Sequence, residues 1–149
     1  MKIDGFLKIG DIPGPSIRDG HDGEIEIYGI DFAMAGPHDP NTLSRSGRVV
    51  LGLVEFTKHY DKSSPYIKQA IFQNKMLGEV VFSARRTIDG ATSDYLVVTL
   101  ADASAVSYRM QASIEDPNLI VEKFGLAYKT ITFNYDGSDE AVMDVHVGV

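Results

Sequence analysis

Apolar and polar residues alternate with a period of two along most of this chain. In the clearest case, residues 106–114, polar side chains alternate with Val106, Tyr108, Met110, Ala112 and Ile114. Side chains of a β-strand point alternately to opposite faces, so the pattern predicts a strand with one buried face. Similar stretches are 2–9, 24–35, 47–60, 79–88, 95–101 and 121–135, which makes seven predicted strands.

The last of these stretches, 121–135, changes phase along its length. The apolar residues of its first half are Phe124, Leu126 and Tyr128, and those of its second half, on the opposite parity, are Ile131, Phe133 and Tyr135. A bulge or bend near Lys129 would bring both halves to one core, because a single extra residue moves every later side chain to the other face.

One segment has helical spacing instead. Ser63-Ser64-Pro65 is typical of a helix start, with a capping serine and a proline at the first helical position. Apolar residues then recur at Ile67, Ala70 and Ile71 until Gly78. The spacing predicts a single helix of about three turns.

Many strands and one short helix favour a mainly β protein. We expect a closed β-barrel or a tight two-sheet sandwich, with the α-helix on one flank. No composition shift divides the chain, so residues 1–149 are predicted to form a single domain. Residues 137–149 alternate at Met143, Val145, Val147 and Val149, which indicates an extra strand or an interface segment.

A polar stretch of eleven residues with two prolines, 36–46, interrupts the strand pattern. Long loops of this kind are often functional, because a compact fold gains nothing from them internally. The side chains of His38, Asp39, Asn41 and Arg45 offer hydrogen bonds and charges that a β-barrel does not itself need. The alternative interpretation is a plain surface connection.

Charge and composition exclude several classes of partner. The formal net charge is -7, which would repel a nucleic-acid backbone. The chain has no cysteine, so we expect no disulfide and no thiolate metal site. The longest apolar run, 49–54, is far shorter than the ~20 residues of a membrane span. We also expect synthesis in the cytoplasm without a signal peptide, and no membrane insertion.

Catalytic motifs are absent from the sequence. The four histidines, His21, His38, His59 and His146, do not have a recognised metal-ligand spacing. There is no Gly-x-Ser-x-Gly motif, and the glycines form no nucleotide-binding turn. Glu24 and Glu26 share one strand face, where solvated carboxylates are common. We therefore predict no enzymatic activity, no cofactor, no metal and no catalytic residues.

A family resemblance comes from the order of several motifs. Residues 47–65 read Gly-Arg-Val-Val-Leu-Gly-Leu-Val-Glu-Phe-Thr-Lys-His-Tyr-Asp-Lys-Ser-Ser-Pro, which resembles the signature of the haemolysin-coregulated proteins of type VI secretion systems. The resemblance continues at 72–75 and 78–80, at Ile12-Pro13-Gly14 with 21–26, and at 124–126 with 129–135. It covers about residues 6–136 and leaves the 137–149 tail unmatched.

This resemblance implies a structural subunit of the secretion system's inner tube. Such subunits form hexameric rings that stack into a tube. A contractile sheath surrounds the tube and a spike protein forms its tip. The type VI machine secretes the tube, which carries and delivers effectors. The resemblance also implies that the 36–46 loop, with His38, Asp39, Asn41 and Arg45, contacts a neighbouring subunit or ring. The alternatives are a phage-like tail tube protein of the same fold, a small enzyme or toxin, and a monomeric binding module.

Overall fold

The computed structural model describes residues 2–36, 41 and 49–145. Its one described helix is α1 (Ser64–Phe72). The strands are β1 (Asp4–Ile9), β2 (Ile25–Ile27), β3 (Gly29–Asp31), β4 (Met34–Ala35), β5 (Val50–Leu51), β6 (Val54–His59), β7 (Met76–Ile88), β8 (Ala91–Ala112), β9 (Ile120–Ala127), β10 (Thr130–Tyr135) and β11 (Asp139–Asp144).

Antiparallel ladders join nearly all of these strands into one large sheet. Its order is β2-β1-β7-β8-β9-β6-β3, with β10 paired to β8 outside this path and β11 paired to β10. Strands β4 and β5 form a separate small ladder. The fold is therefore mainly β, as the alternation predicts, with the helix packed on β8.

Tyr28 connects β2 and β3, the two strands at the ends of the large sheet's order. This residue separates β2, which pairs with β1, from β3, which pairs with β6. The Tyr28 carbonyl accepts a hydrogen bond from the Ile3 N–H, and its own N–H donates to the Thr57 carbonyl, each at 3.0 Å. The end strands β2 and β3 are not paired with each other, so the ladder of the large sheet is not closed. A tight sandwich describes the fold, and the closed barrel is the less accurate prediction.

The hydrophobic core lies between the two layers of the sandwich. Phe56 on β6 stands at its centre, with ring centroids 5.5 Å from Phe82 and 5.6 Å from Phe124. Leu100 is also buried, whereas Ile71 of the helix is only partly buried against this cluster. Other large apolar side chains that are fully buried include Phe6, Leu7, Ile9, Ile25, Ile67, Leu126 and Ile131.

The bend predicted near Lys129 is confirmed. Strand β9 ends at Ala127 and β10 begins at Thr130, and the backbone bends at Lys129 between them. Strand β9 pairs with β6 and β8, whereas β10 pairs with β8 and β11. Leu126 and Ile131, which have opposite parity, are both buried as a result.

Other predicted boundaries are wrong. The predicted strands 95–101 and 106–114 are one long strand, β8, with a bulge between Ala105 and Ser107. The end of β8 extends past the core, so Ile114 beyond it is 96% exposed instead of buried. The predicted strand 24–35 is divided into β2, β3 and β4, because this segment changes partner at Tyr28.

The helix begins where the sequence predicts but ends earlier. It starts at Ser64 with the proline in its first turn, and ends at Phe72, before Gly78. Asn74 has a φ of 54°, which is the left-handed conformation that commonly ends a helix. The Lys75 N–H bonds back to the Ala70 carbonyl at 2.9 Å and completes this ending.

The tail predicted from 137–149 contains a strand. Residues Asp139–Asp144 form β11, which pairs with β10 along its full length. The partly buried Met143 and Val145 pack against the core cluster. Residues 146–149, including His146, lie outside the described residues.

Candidate assembly interface

The family resemblance predicts subunit or ring contact for the 36–46 loop, which the structure describes only in part. His38, Asp39 and Arg45 lie outside the described residues, so their predicted role stays a prediction. Asn41 is described, lies in a turn and is exposed. It interacts with at least one other residue. The structure describes the two chain segments that flank the loop, residues 32–36 before it and 49–53 after it.

These two segments form a projecting β-ribbon, which we call the arm and define as residues 32–36 and 49–53. Within it β4 pairs with β5, with Met34 opposite Leu51 and Ala35 opposite Val50. The Gly52 N–H donates to the Ala33 carbonyl at 2.9 Å. The arm makes its own ladder, separate from the main sheet.

The base of the arm is held on the sandwich by two aromatic contacts. The hydroxyl of Tyr128 donates to the Gly52 carbonyl at 2.7 Å. Burial raises the pKa of Tyr128, which keeps its hydroxyl protonated as a donor. The ring of Phe32 packs on that of Phe133 with centroids 5.2 Å apart. Gly52 itself is required, because a Cβ there would lie 2.9 Å from the Ala33 carbonyl oxygen.

Apolar side chains on the arm face solvent in the single chain. Val50 is 65% exposed and Met34 is 49% exposed, and Val49 and Leu53 are also exposed. Single exposed apolar residues are ordinary, whereas several on one projecting ribbon are typical of a protein interaction surface. The arm therefore has the composition of a contact element and is fixed in place at its base.

A second feature suited to association is an open strand edge. Among the described strands, β11 pairs only with β10. Open edges present unpaired backbone N–H and C=O groups, which another chain can satisfy by adding a strand. Asp139, Glu140 and Asp144 place charge on this strand, which restricts the partners that it accepts.

One histidine has partners that the sequence does not reveal. Nδ1 of His21 lies 2.8 Å from Glu24, and Nε2 lies 3.0 Å from Asp94. The ring also stacks on Phe6 with centroids 4.4 Å apart. Burial lowers the pKa of His21, but the two carboxylates outweigh it and raise the pKa above its ordinary value. Glu24 is close in sequence, but no local pattern indicates Asp94.

Neither a metal-ligand cluster nor a membrane-spanning helix occurs in the described part of the chain. No group of three or more His, Cys, Asp or Glu side chains there is arranged to hold a metal ion. No helix within it is long and apolar enough to cross a membrane.

Exposed apolar side chains on an anchored arm and an open strand edge are features that suit association with other proteins. Comparison with known proteins gives the family of the chain. Residues 6–135 match the family described as "Type VI secretion system effector, Hcp". The chain belongs to this Hcp family, which is the family of haemolysin-coregulated proteins named from its motifs.

Individual relatives agree with this assignment. The "Major exported protein" of Pseudomonas aeruginosa is 26% identical over 140 residues, which are 90% of this chain and 81% of that protein. A solved structure of Hcp1 from E. coli EAEC 042 pathovar has a TM-score of 0.84 at 25% identity, covering 97% of this chain and 99% of that one. Hcp1 from Salmonella typhimurium shares the fold, with a TM-score of 0.80 at 22% identity and coverages of 100% and 99%. The prediction of a secreted tube protein of a type VI secretion system is confirmed.

Proposed function

We propose that this chain forms hexameric rings that stack into the inner tube of a type VI secretion system, and that the arm is a contact between copies. The observation that carries the proposal is the exposed apolar surface of the arm together with its anchored base. Met34 and Val50 would lose their exposure to water when a neighbouring copy covers them, which favours association. A base fixed by Tyr128 reduces the entropy that the arm loses on binding.

The loop residues His38, Asp39, Asn41 and Arg45 extend this proposal to the tip of the arm. We expect them to contact a neighbouring subunit or ring. Contacts of this kind repeat in every subunit, so a modest change in each is multiplied along the tube. The partners proposed beyond self-association are the spike protein, the contractile sheath and the effectors. Secretion is proposed to follow synthesis in the cytoplasm, through the type VI machine and without cleavage of a signal peptide.

No catalytic role is part of the proposal. The family is one of structural, secreted tube proteins, and this supports a protein that acts through assembly instead of chemistry. The family match also favours the secretion system over a phage-like tail tube.

Native mass spectrometry tests the ring. The chain has a mass of 16.3 kDa, so the expected result is a sixfold species at high protein concentration. Negative-stain images should show rings and stacked tubes. A protein that stays monomeric at all concentrations would refute the proposal.

A charged variant of the arm tests the contact. Met34→Asp combined with Val50→Asp should abolish rings while leaving the melting temperature of the monomer nearly unchanged, because both residues are exposed. The control with the same added charge combines Ile17→Asp with Ile114→Asp, since these residues are 88% and 96% exposed and lie outside the arm. Rings should persist in the control. Equal loss of rings in both variants would show that the added charge, and not the arm, prevents assembly.

Shortening the loop separates assembly from folding. We expect a Gly-Ser bridge in place of 36–46 to leave the monomer folded, because the entropy of loop closure changes by only about 0.6 kcal/mol per doubling of length. Ring and tube formation should decrease. Normal tubes would show that the loop is a plain surface connection, and a collapsed melting temperature would show that it belongs to the fold.

A further inference from the structure

The signature segment places a charged side chain inside the core. Strand β6 alternates buried and partly exposed residues, and Val54, Phe56 and Lys58 share its buried face. Lys58 is 0% exposed, and its Nζ lies 2.5 Å from Oε1 of Glu122, which is 1% exposed. Removing two charges from water is costly, so their presence here requires compensating contacts.

Those contacts come from several parts of the chain. Besides Glu122, Lys58 Nζ donates to the His59 carbonyl at 3.0 Å and to Ser64 Oγ at 2.9 Å, and it lies 3.1 Å from Asp61. Glu122 also accepts hydrogen bonds from the hydroxyls of Ser64 and Tyr108. Burial and the Glu122 carboxylate raise the pKa of Tyr108, which keeps its hydroxyl protonated. We call Lys58, Asp61, Ser64, Tyr108 and Glu122 the buried clamp.

The clamp joins the first residue of α1 to the sandwich. Ser64 begins the helix and contacts Lys58 on β6 and Glu122 on β9. Its Oγ also accepts the Asp61 N–H at 2.9 Å, and Asp61 in turn accepts the Ser63 N–H at 2.8 Å. The turn before the helix and the start of the helix are therefore fixed to two strands by hydrogen bonds.

Apolar packing alone fixes the position of α1 on the sandwich only weakly. The helix has nine residues, a length at which an isolated helix is marginal. Its buried residues are Ser64, Ile67 and Ala70, of which only Ile67 is a large apolar side chain, and Ile71 is partly buried against the core. So few large side chains restrict the sliding and rotation of a helix poorly, since packing specificity needs several interlocking side chains. Directional hydrogen bonds at Ser64 supply the missing restriction.

We propose that the buried clamp is a positioning device, which selects one pose of α1 on the sandwich and contributes little to the overall stability of the fold. Buried ion pairs are in general poor sources of stability compared with apolar side chains of the same volume. Lys58, Asp61 and Ser64 all belong to the 47–65 signature, so the clamp gives that motif a physical role. The link to rings rests on the proposed function: identical copies repeat the same contacts only if each helix has the same pose.

Ser64→Ala tests the clamp at its link to the helix. The variant keeps the Lys58–Glu122 pair and removes only the hydroxyl. Amide hydrogen exchange, measured on the monomer, should accelerate in α1 by about tenfold, as expected when a buried hydrogen bond is lost. Exchange in β7 and the first half of β8 should not change. The matched control is Ser113→Ala, because Ser113 Oγ accepts a backbone N–H from Asp116 at 3.1 Å in a turn away from the clamp.

The outcomes distinguish positioning from simple stability. Faster exchange confined to α1, with a melting temperature like that of the Ser113→Ala control, supports the proposal. Unchanged exchange in α1, or equal acceleration throughout the sheet, overturns it. Ring yield is measured separately and should fall in Ser64→Ala only. If the unmodified protein forms no rings, the proposed function fails, whereas the exchange experiment still decides the role of the clamp.

Discussion

Replacing Lys58 by methionine should destabilise the fold more than replacing both members of its ion pair. Lys58→Met has a side chain of similar length and fills the same space without the charge. It leaves Glu122 in the core without its cation, and an unpaired buried charge is among the most destabilising changes in a protein. The double variant Lys58→Met/Glu122→Leu removes both charges and replaces them with apolar volume.

The structure sets the size of each effect. Breaking a buried pair costs about 3 to 5 kcal/mol, and we expect the lower end, because Ser64 and Tyr108 still donate to Glu122. For a chain of this size about 3 kcal/mol corresponds to a decrease in Tm of roughly 6 to 12 °C. The double variant should lose about 1 kcal/mol, roughly 2 to 4 °C. The hydroxyls of Ser64 and Tyr108 lose their acceptor, and removing two buried charges partly offsets that loss.

Thermal unfolding of the monomer, followed by circular dichroism, measures both variants. Arg18→Met is the control, because Arg18 and Asp4 form an ion pair at 2.9 Å in which both side chains are 45% exposed. Exposed pairs contribute little, so this control should change Tm by no more than about 2 °C. A double variant that melts as low as Lys58→Met would refute the reasoning, since it would show that the ion pair itself stabilises the fold.

Three further predictions concern the core, pH and metal content. Phe56→Ala and Leu100→Ala should each lower the free energy of unfolding in urea by about 2 to 5 kcal/mol, and Ile71→Ala by less because Ile71 is only partly buried. The raised pKa of His21 contributes stability that is complete below about pH 6.5 and is lost as pH rises through its folded-state pKa. Tm should therefore decline as pH rises from about 6.5 through the folded-state pKa of His21, and a His21→Gln variant should lack this decline; parallel curves would contradict the assignment. Elemental analysis should find no stoichiometric metal, and one bound zinc or iron per chain would contradict that prediction.

Local patterns in the sequence determined the class of the fold. Period-two alternation predicts strands because it reflects a backbone property that does not depend on distant partners. The helix start at Ser64 and the bend near Lys129 were predictable for the same reason, since proline chemistry and a phase change act within a few residues. The order of motifs, read as a resemblance, was sufficient to identify the family.

Strand boundaries and exposure depended on the tertiary structure. The segment 24–35 is divided because it exchanges β1 for β6 as its partner at Tyr28, which no alternation records. The end of β8 is exposed because it extends beyond the core, although its apolar pattern matches that of a buried strand. Alternation specifies which side chains share a face, and only the packed sheet decides whether that face is covered.

The polar clusters were decided entirely by the tertiary structure. His21 meets Asp94 across 73 positions of sequence, and Lys58 meets Glu122 across 64. In the sequence Lys58 is a polar residue on the apolar parity of a strand, which is an exception to the pattern and does not identify its partner. Charged groups enter a core only where other chain segments supply compensating charges and hydrogen bonds. The sequence therefore determined the strands and the family, and the packing of distant strands decided which charges could be buried.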